Sequence, residues 1–188
     1  MKVQKENLKR QLSLAITVLA VSIAFALPGL AQNAKVEDSA SRLTNKVRHE
    51  LVMLPLYGVF DNLEFQLQGY DTVLLSGQVA RPSLKNDAEN AVRRLEGVAN
   101  VVNNIEVLPL SPNDDRIRSA AYRTIYYRPG LDRYGLPVVP PIHIVVKNGD
   151  ITLVGLVANQ ADKDMAGIVA EGIPGSFSVT NNLRVVSE

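Results

Sequence analysis

Two stretches of this chain, 73–108 and 151–186, align without a gap at an offset of 78 residues. They share Leu75/Leu153, Gly77/Gly155, Val79/Val157, Ala80/Ala158, Lys85/Lys163, Ala88/Ala166, Gly97/Gly175, Val101/Val179, Asn103/Asn181, Asn104/Asn182 and Val107/Val185. A chain built this way folds as one small module used twice, since each copy must meet the same backbone and core demands. The shared positions are chiefly glycines, asparagines and aliphatic residues, with no recurring reactive constellation. That points towards binding or scaffolding and away from catalysis.

Each copy reads as helix, strand, strand, helix, strand. Leu43, Val47, Leu51 and Leu54 fall on one helical stripe, which predicts a helix lying on a flat surface and ending at Pro55. Phe65 and Leu67 alternate with Glu64, Gln66 and Gln68, giving a half-exposed strand, and 72–80 reads as a more buried partner in a hairpin. Ser83 is the expected N-cap of the next helix, whose Ala88, Ala91, Val92 and Leu95 run at helical spacing to Gly97 as a left-handed C-cap. Strand 98–108 closes the copy.

In the second copy Ile117, Ala121 and Ile125 match Leu43, Val47 and Leu51 at an offset of 74, and Pro129 matches Pro55. The later offset of 78 places a four-residue insertion near Pro137, Pro140 and Pro141. Strands 143–146 and 150–158 are joined by Asn148-Gly149, the pair suited to a type I′ turn. Ala166, Val169, Ala170 and Ile173 mark the last helix, and 176–186 the closing strand. The fold class is α+β: two tandem αββαβ modules, each a small three-stranded mixed sheet with two helices packed on one face. The modules span 41–108 and 114–188. Residues 109–113, with two prolines in the stretch 108–112, form a stiff linker, so the modules are expected to pack together.

Residues 1–31 have the pattern of a targeting segment. Lys2, Lys5, Lys9 and Arg10 precede an apolar run over 12–27, and Gly29-Leu30-Ala31 supplies a small-x-small site, so cleavage is expected after Ala31. The run is shorter than the ~20 residues a spanning helix needs. Residues 32–40 are polar, lack apolar periodicity and read as a flexible lead. The segment 1–31 holds four of the 20 basic and one of the 19 acidic residues, so the mature chain carries 16 basic against 18 acidic, a net of −2. Nothing in that balance favours a nucleic acid. Without cysteine the chain has neither a disulfide framework nor a lipid-modified N-terminal cysteine.

The strand 73–80, Val-Leu-Leu-Ser-Gly-Gln-Val-Ala, followed after a helix by 97–105, Gly-Val-Ala-Asn-Val-Val-Asn-Asn-Ile, resembles the BON domain, a bacterial envelope module often found in tandem. The second copy carries the same pattern in Ile-Thr-Leu-Val-Gly-Leu-Val-Ala, 151–158, and Gly-Ser-Phe-Ser-Val-Thr-Asn-Asn-Leu, 175–183. It departs at 173–177, where the pattern prefers an apolar residue directly after glycine. The resemblance implies a periplasmic protein; some members respond to osmotic stress and some associate with phospholipid surfaces or envelope machinery.

The densest unusual segment is 116–134. Arg116, Arg118, Arg123 and Arg128, with Arg133 beyond them, are interleaved with Tyr122, Tyr126, Tyr127 and Tyr134. Arginine forks pair with phosphate, and tyrosine suits a boundary that is apolar on one side and wet on the other. The combination predicts contact with an anionic phospholipid membrane surface; the rival is another envelope protein, and the bland alternative is a solvated helix face with tyrosines at the module junction. Gly77 and Gly155 are expected where backbones approach closely, and Gly97 and Gly175 at turns. Asn103 and Asn181 are unusual in strands, which suggests a bulge or a side chain completing backbone hydrogen bonds. His49 and His143 occupy unmatched positions, on an exposed helix face and at the start of a strand. No metal, nucleotide or nucleophile motif occurs, so no cofactor, catalytic residue or small-molecule substrate is expected.

Overall fold

The computed structural model describes residues 28–186, with side chains from Ser39 onward. Residues 1–27, most of the stretch with the pattern of a targeting segment, lie outside them. Helix α1 (Pro28–Val52) begins earlier than expected, so residues 32–40 are helical rather than an irregular lead. Apolar periodicity signals an amphipathic helix, so its absence over 32–40 does not exclude a helix there.

Module one continues with β1 (Asn62–Gln68), β2 (Thr72–Val79), α2 (Pro82–Arg93), β3 (Asn100–Asn103) and β4 (Glu106–Val107). Strand β1 is antiparallel to β2, while β3 and β4 both run parallel to β2. Leu43, Val47 and Leu51 of α1 and Leu84, Ala88 and Val92 of α2 share one core with Val73, Leu75 and Val79 of β2. Both helices thus cover one face. Each fully buried aliphatic side chain there contributes about 1.5–3 kcal/mol.

Module two has α3 (Pro112–Tyr126), a 3-10 turn (Asp132–Gly135), β5 (Ile142–Lys147), β6 (Asp150–Val157), α4 (Gln160–Glu171) and β7 (Ser178–Val185). Its sheet runs β5-β6-β7, the first pair antiparallel and the second parallel. Asn148 and Gly149 both have positive φ, 54° and 86°, as the hairpin turn requires.

Two caps differ from expectation. Helix α2 starts at Arg81 without a side-chain cap, and Pro82 sets its first turn, so Ser83 lies inside the helix. Gly97 is left-handed, but the helix has already ended at Arg94; the glycine turns the chain into β3, with Val98 N–H donating to Leu95 C=O at 3.2 Å. Gly175 has the equivalent place after α4.

The paired asparagines form no bulge. Leu75 pairs with Asn103 and Gln78 with Glu106, so the register passes through the break between β3 and β4 without an extra residue. Instead, Asn103 Nδ2 donates to the Lys85 carbonyl at 3.0 Å while its Oδ1 accepts from Ile105 N–H at 3.1 Å. Asn181 repeats this with the Lys163 carbonyl at 2.7 Å and Leu183 N–H at 3.3 Å. Each amide ties the first turns of a helix to the closing strand.

The modules meet through 57–61. Val59 and Phe60 pack against the core of module two, and Val59 C=O accepts from Ile144 N–H at 2.8 Å, covering the edge of β5. The Tyr57 ring stacks on His143 at 5.5 Å, and His143 Nδ1 lies 3.3 Å from Gly58 C=O, a contact in which the ring nitrogen must donate. Nε2 is then free to accept from the Tyr57 hydroxyl at 3.5 Å. Asp61 closes the segment, its carboxylate accepting from Ala80 N–H at 2.8 Å and Gly58 N–H at 3.1 Å. Burial pushes the Tyr57 hydroxyl up to about 12, raises Asp61 above its ordinary value, and lowers His143. In all three the neutral form is favoured.

Two outcomes follow from these contacts. A Cβ on Gly77 would stand 2.1 Å from Asn62 O, and one on Gly155 1.9 Å from Pro141 O, whereas at Gly69, also left-handed, nothing lies within 4 Å. Urea denaturation should show G77A and G155A each losing well over about 2 kcal/mol, against roughly 1 kcal/mol for G69A. The second concerns pH. Because the folded pKa of His143 lies below the unfolded 6.5, the unfolded state binds more protons between the two values, and stability falls as pH drops through that window. Asp61, raised from 3.8, acts with the opposite sign from that value upward. The urea midpoint should therefore fall between pH 7.5 and 5.5, and H143F, which keeps an aromatic stack, should flatten the fall that begins near 6.5; equal losses in both proteins would mean that His143 is not held neutral.

Candidate functional site

Helix α3 positions the arginine and tyrosine segment. Ser111 caps it, accepting from Asp114 N–H at 3.2 Å, and Ile117, Ala121 and Ile125 are buried against the sheet. The 3.6-residue period then brings Arg116, Arg123 and Tyr127 onto one outward stripe, and all three are exposed, as is Arg128 beyond the helix end.

The other four residues turn inward. Arg118 is buried, donating to the Val146 carbonyl at 2.7 Å and to Asp115 at 2.6 Å, and its Nε is buried without an acceptor. Tyr126 is buried and donates to the Ile142 carbonyl; burial, reinforced by neighbouring Tyr122, raises its pKa. Tyr134 donates to Asp162 Oδ2 at 2.6 Å and accepts from Ala158 N–H at 2.8 Å. Tyr122 is half-buried, with its ring 6.3 Å from Phe60 and 5.0 Å from Tyr126. These side chains hold the module together and join it to its neighbour, so the expected contact face shrinks to Arg116, Arg123, Tyr127 and Arg128.

Other residues complete the surface. Arg133 pairs with Asp162 and lies 5.0 Å from the Tyr134 ring, which anchors the connection after α3. Gly135 sits against Tyr126: a Cβ there would come within 3.2 Å of its ring. The following Leu136 and Val138 are 84% and 101% exposed, two of the most exposed apolar side chains in the described chain. Sequence reasoning marked only the prolines of this insertion, although two bare aliphatic residues among them were its visible signal.

Two buried carboxylates were also missed. Asp114 reaches from α3 to the β5-β6 turn, accepting from Asn148 N–H at 2.9 Å and Gly149 N–H at 2.8 Å. Asp162 does the equivalent work for the insertion, through Tyr134 and Arg133. Among the described residues no group of His, Cys, Asp and Glu side chains converges as metal ligands would, and no helix is long and apolar enough to cross a membrane.

The BON domain profile matches this chain twice, over residues 39–109 and 113–187. No curated protein matches it. Among solved structures it is similar to CdsD, a structural protein of the type III secretion system of Chlamydia trachomatis, at 13% identity over 77% of this chain and 92% of that one, with a TM-score of 0.31. A second structure, of the CdsD C-terminal domain, matches at 14% identity over 77% of this chain and 98% of that one, with a TM-score of 0.28. Together the two matched spans take in both copies of the repeat, and the chain belongs to the BON domain family as a tandem pair.

Proposed function

We propose that this is a non-catalytic protein of the bacterial envelope, periplasmic after export, which binds anionic phospholipid peripherally through the outward face of α3 and the connection that follows. The observation that carries the reading is an outward stripe of Arg116, Arg123 and Tyr127, followed by exposed Arg128, at whose C-terminal end Gly135 packs against Tyr126 and leads into exposed Leu136 and Val138. Guanidinium forks suit phosphate, an exposed tyrosine suits the headgroup level, and aliphatic tips gain by entering the acyl boundary. Asp115 and Asp132 lie outside the stripe and offset part of its charge. A role in envelope integrity under osmotic stress accords with the family's habits.

Vesicle co-sedimentation tests this. The purified chain should pellet with phosphatidylglycerol vesicles and stay in solution with phosphatidylcholine vesicles, and salt should weaken binding because exposed charges are screened. R116A/R123A/R128A should lower the affinity by about tenfold or more, each lost basic contact near the surface being worth ~1 kcal/mol. L136D/V138D should lower it without changing the salt slope. No pelleting at low salt sinks the lipid reading; capture of one stoichiometric envelope protein in its place would favour the rival partner.

A further inference from the structure

Between α1, β1 and the outer face of the β5-β6-β7 sheet runs a groove of about 660 Å³, within the size range of small-molecule sites. Tyr57, Phe65 and Leu156 give it apolar walls, and Arg48 and Arg184 line it from opposite modules. Both arginines are exposed, and neither forms an ion pair among the described residues. The carboxylate of Glu64, also on the lining, accepts from Asn62 Nδ2 at 3.0 Å and keeps its negative charge. Two guanidiniums against one carboxylate therefore leave the cleft with a net positive charge, next to surface that prefers hydrocarbon to water. Guanidinium binds carboxylate, phosphate and sulfonate groups in a fork, and aromatic and aliphatic walls hold an apolar body.

We propose that this groove binds an amphipathic organic anion, with its apolar body against Tyr57, Phe65 and Leu156 and its acidic head at Arg48 and Arg184. The site is separate from the α3 stripe, and its ligand bridges the two modules. It does not rest on membrane binding.

The test titrates the anionic dye 8-anilinonaphthalene-1-sulfonate, and its uncharged counterpart N-phenyl-1-naphthylamine, into the purified protein and follows their fluorescence. The sulfonate should saturate and bind about tenfold more tightly than the neutral dye, as expected for a charge-assisted contact. R48E/R184E should weaken the sulfonate by about tenfold or more and leave the neutral dye unchanged, with an unaltered urea midpoint showing that the fold survives. L156D should weaken both dyes, and R123A, on the other surface, neither. Displacement by monomeric dodecanoate identifies a free amphiphile as the natural kind of ligand; displacement by phosphatidylglycerol vesicles alone identifies a lipid headgroup. Equal affinity for the two dyes, undiminished sulfonate binding in R48E/R184E, or displacement by inorganic phosphate as effective as by dodecanoate overturns the proposal.

Discussion

In a parallel β-helix-β connection the closing strand and its helix are joined by packing alone unless a side chain spans them, and here one amide does so in each module. Asn103 and Asn181 donate to a carbonyl in the first turns of α2 and α4, and accept from an N–H two residues further along the chain. Two net hydrogen bonds of about 1 kcal/mol each are small beside the buried aliphatic core. Their value is positional, because dispersion and hydrophobic burial are non-directional, whereas an amide satisfied at both ends admits one height of helix over strand. With α2 and α4 fixed in this way, the remaining surface of each sheet is left to α1 or α3.

The same amide is accommodated by opposite local means. In module one Asn103 also donates to Glu89 at 2.9 Å, and Glu89 in turn pairs with Arg93. The equivalent of Glu89 in module two is Gly167, where a Cβ would stand 2.8 Å from Asn181 Nδ2. A carboxylate meets the amide in one copy and bare backbone makes room for it in the other. Ala80 and Ala158 show the same freedom, since the first N–H is accepted by Asp61 and the second by Tyr134. What the duplication keeps is the satisfaction of a backbone group, while the partner is open to change.

That distinction sets what could be read from the sequence. Strands, helices, the Asn148-Gly149 turn and the close approaches at Gly77 and Gly155 were legible, because periodicity and turn chemistry are local and the two glycines recur at one offset. Helix ends were less so: Ser83 had the chemistry of a cap, but Pro82 pre-set the turn without one. The buried charges were hidden altogether. Asp114 finds its donors in the hairpin turn and Arg118 its acceptor on β5, both far along the chain. Nothing local distinguishes such a residue from one that faces water, and charged residues on helices are ordinarily solvated.

The division of the arginine and tyrosine segment has the same origin. One turn of α3 separates residues that face the sheet from residues that face outward, so a run dense in both types cannot present them all on one surface. Tyr126 and Tyr134 turn inward, where their hydroxyls meet the β5 carbonyl of Ile142 and the β6-α4 N–H of Ala158. In module one the corresponding stretch is occupied by the junction, where Tyr57, Val59 and Phe60 contact the neighbouring module. The connection of module two leaves Leu136 and Val138 exposed beyond Gly135, which packs against Tyr126. Two scaffolds with the same order of helices and strands therefore differ most in one connection: that of module one is engaged by the neighbouring module, and the longer one of module two carries the exposed Leu136 and Val138.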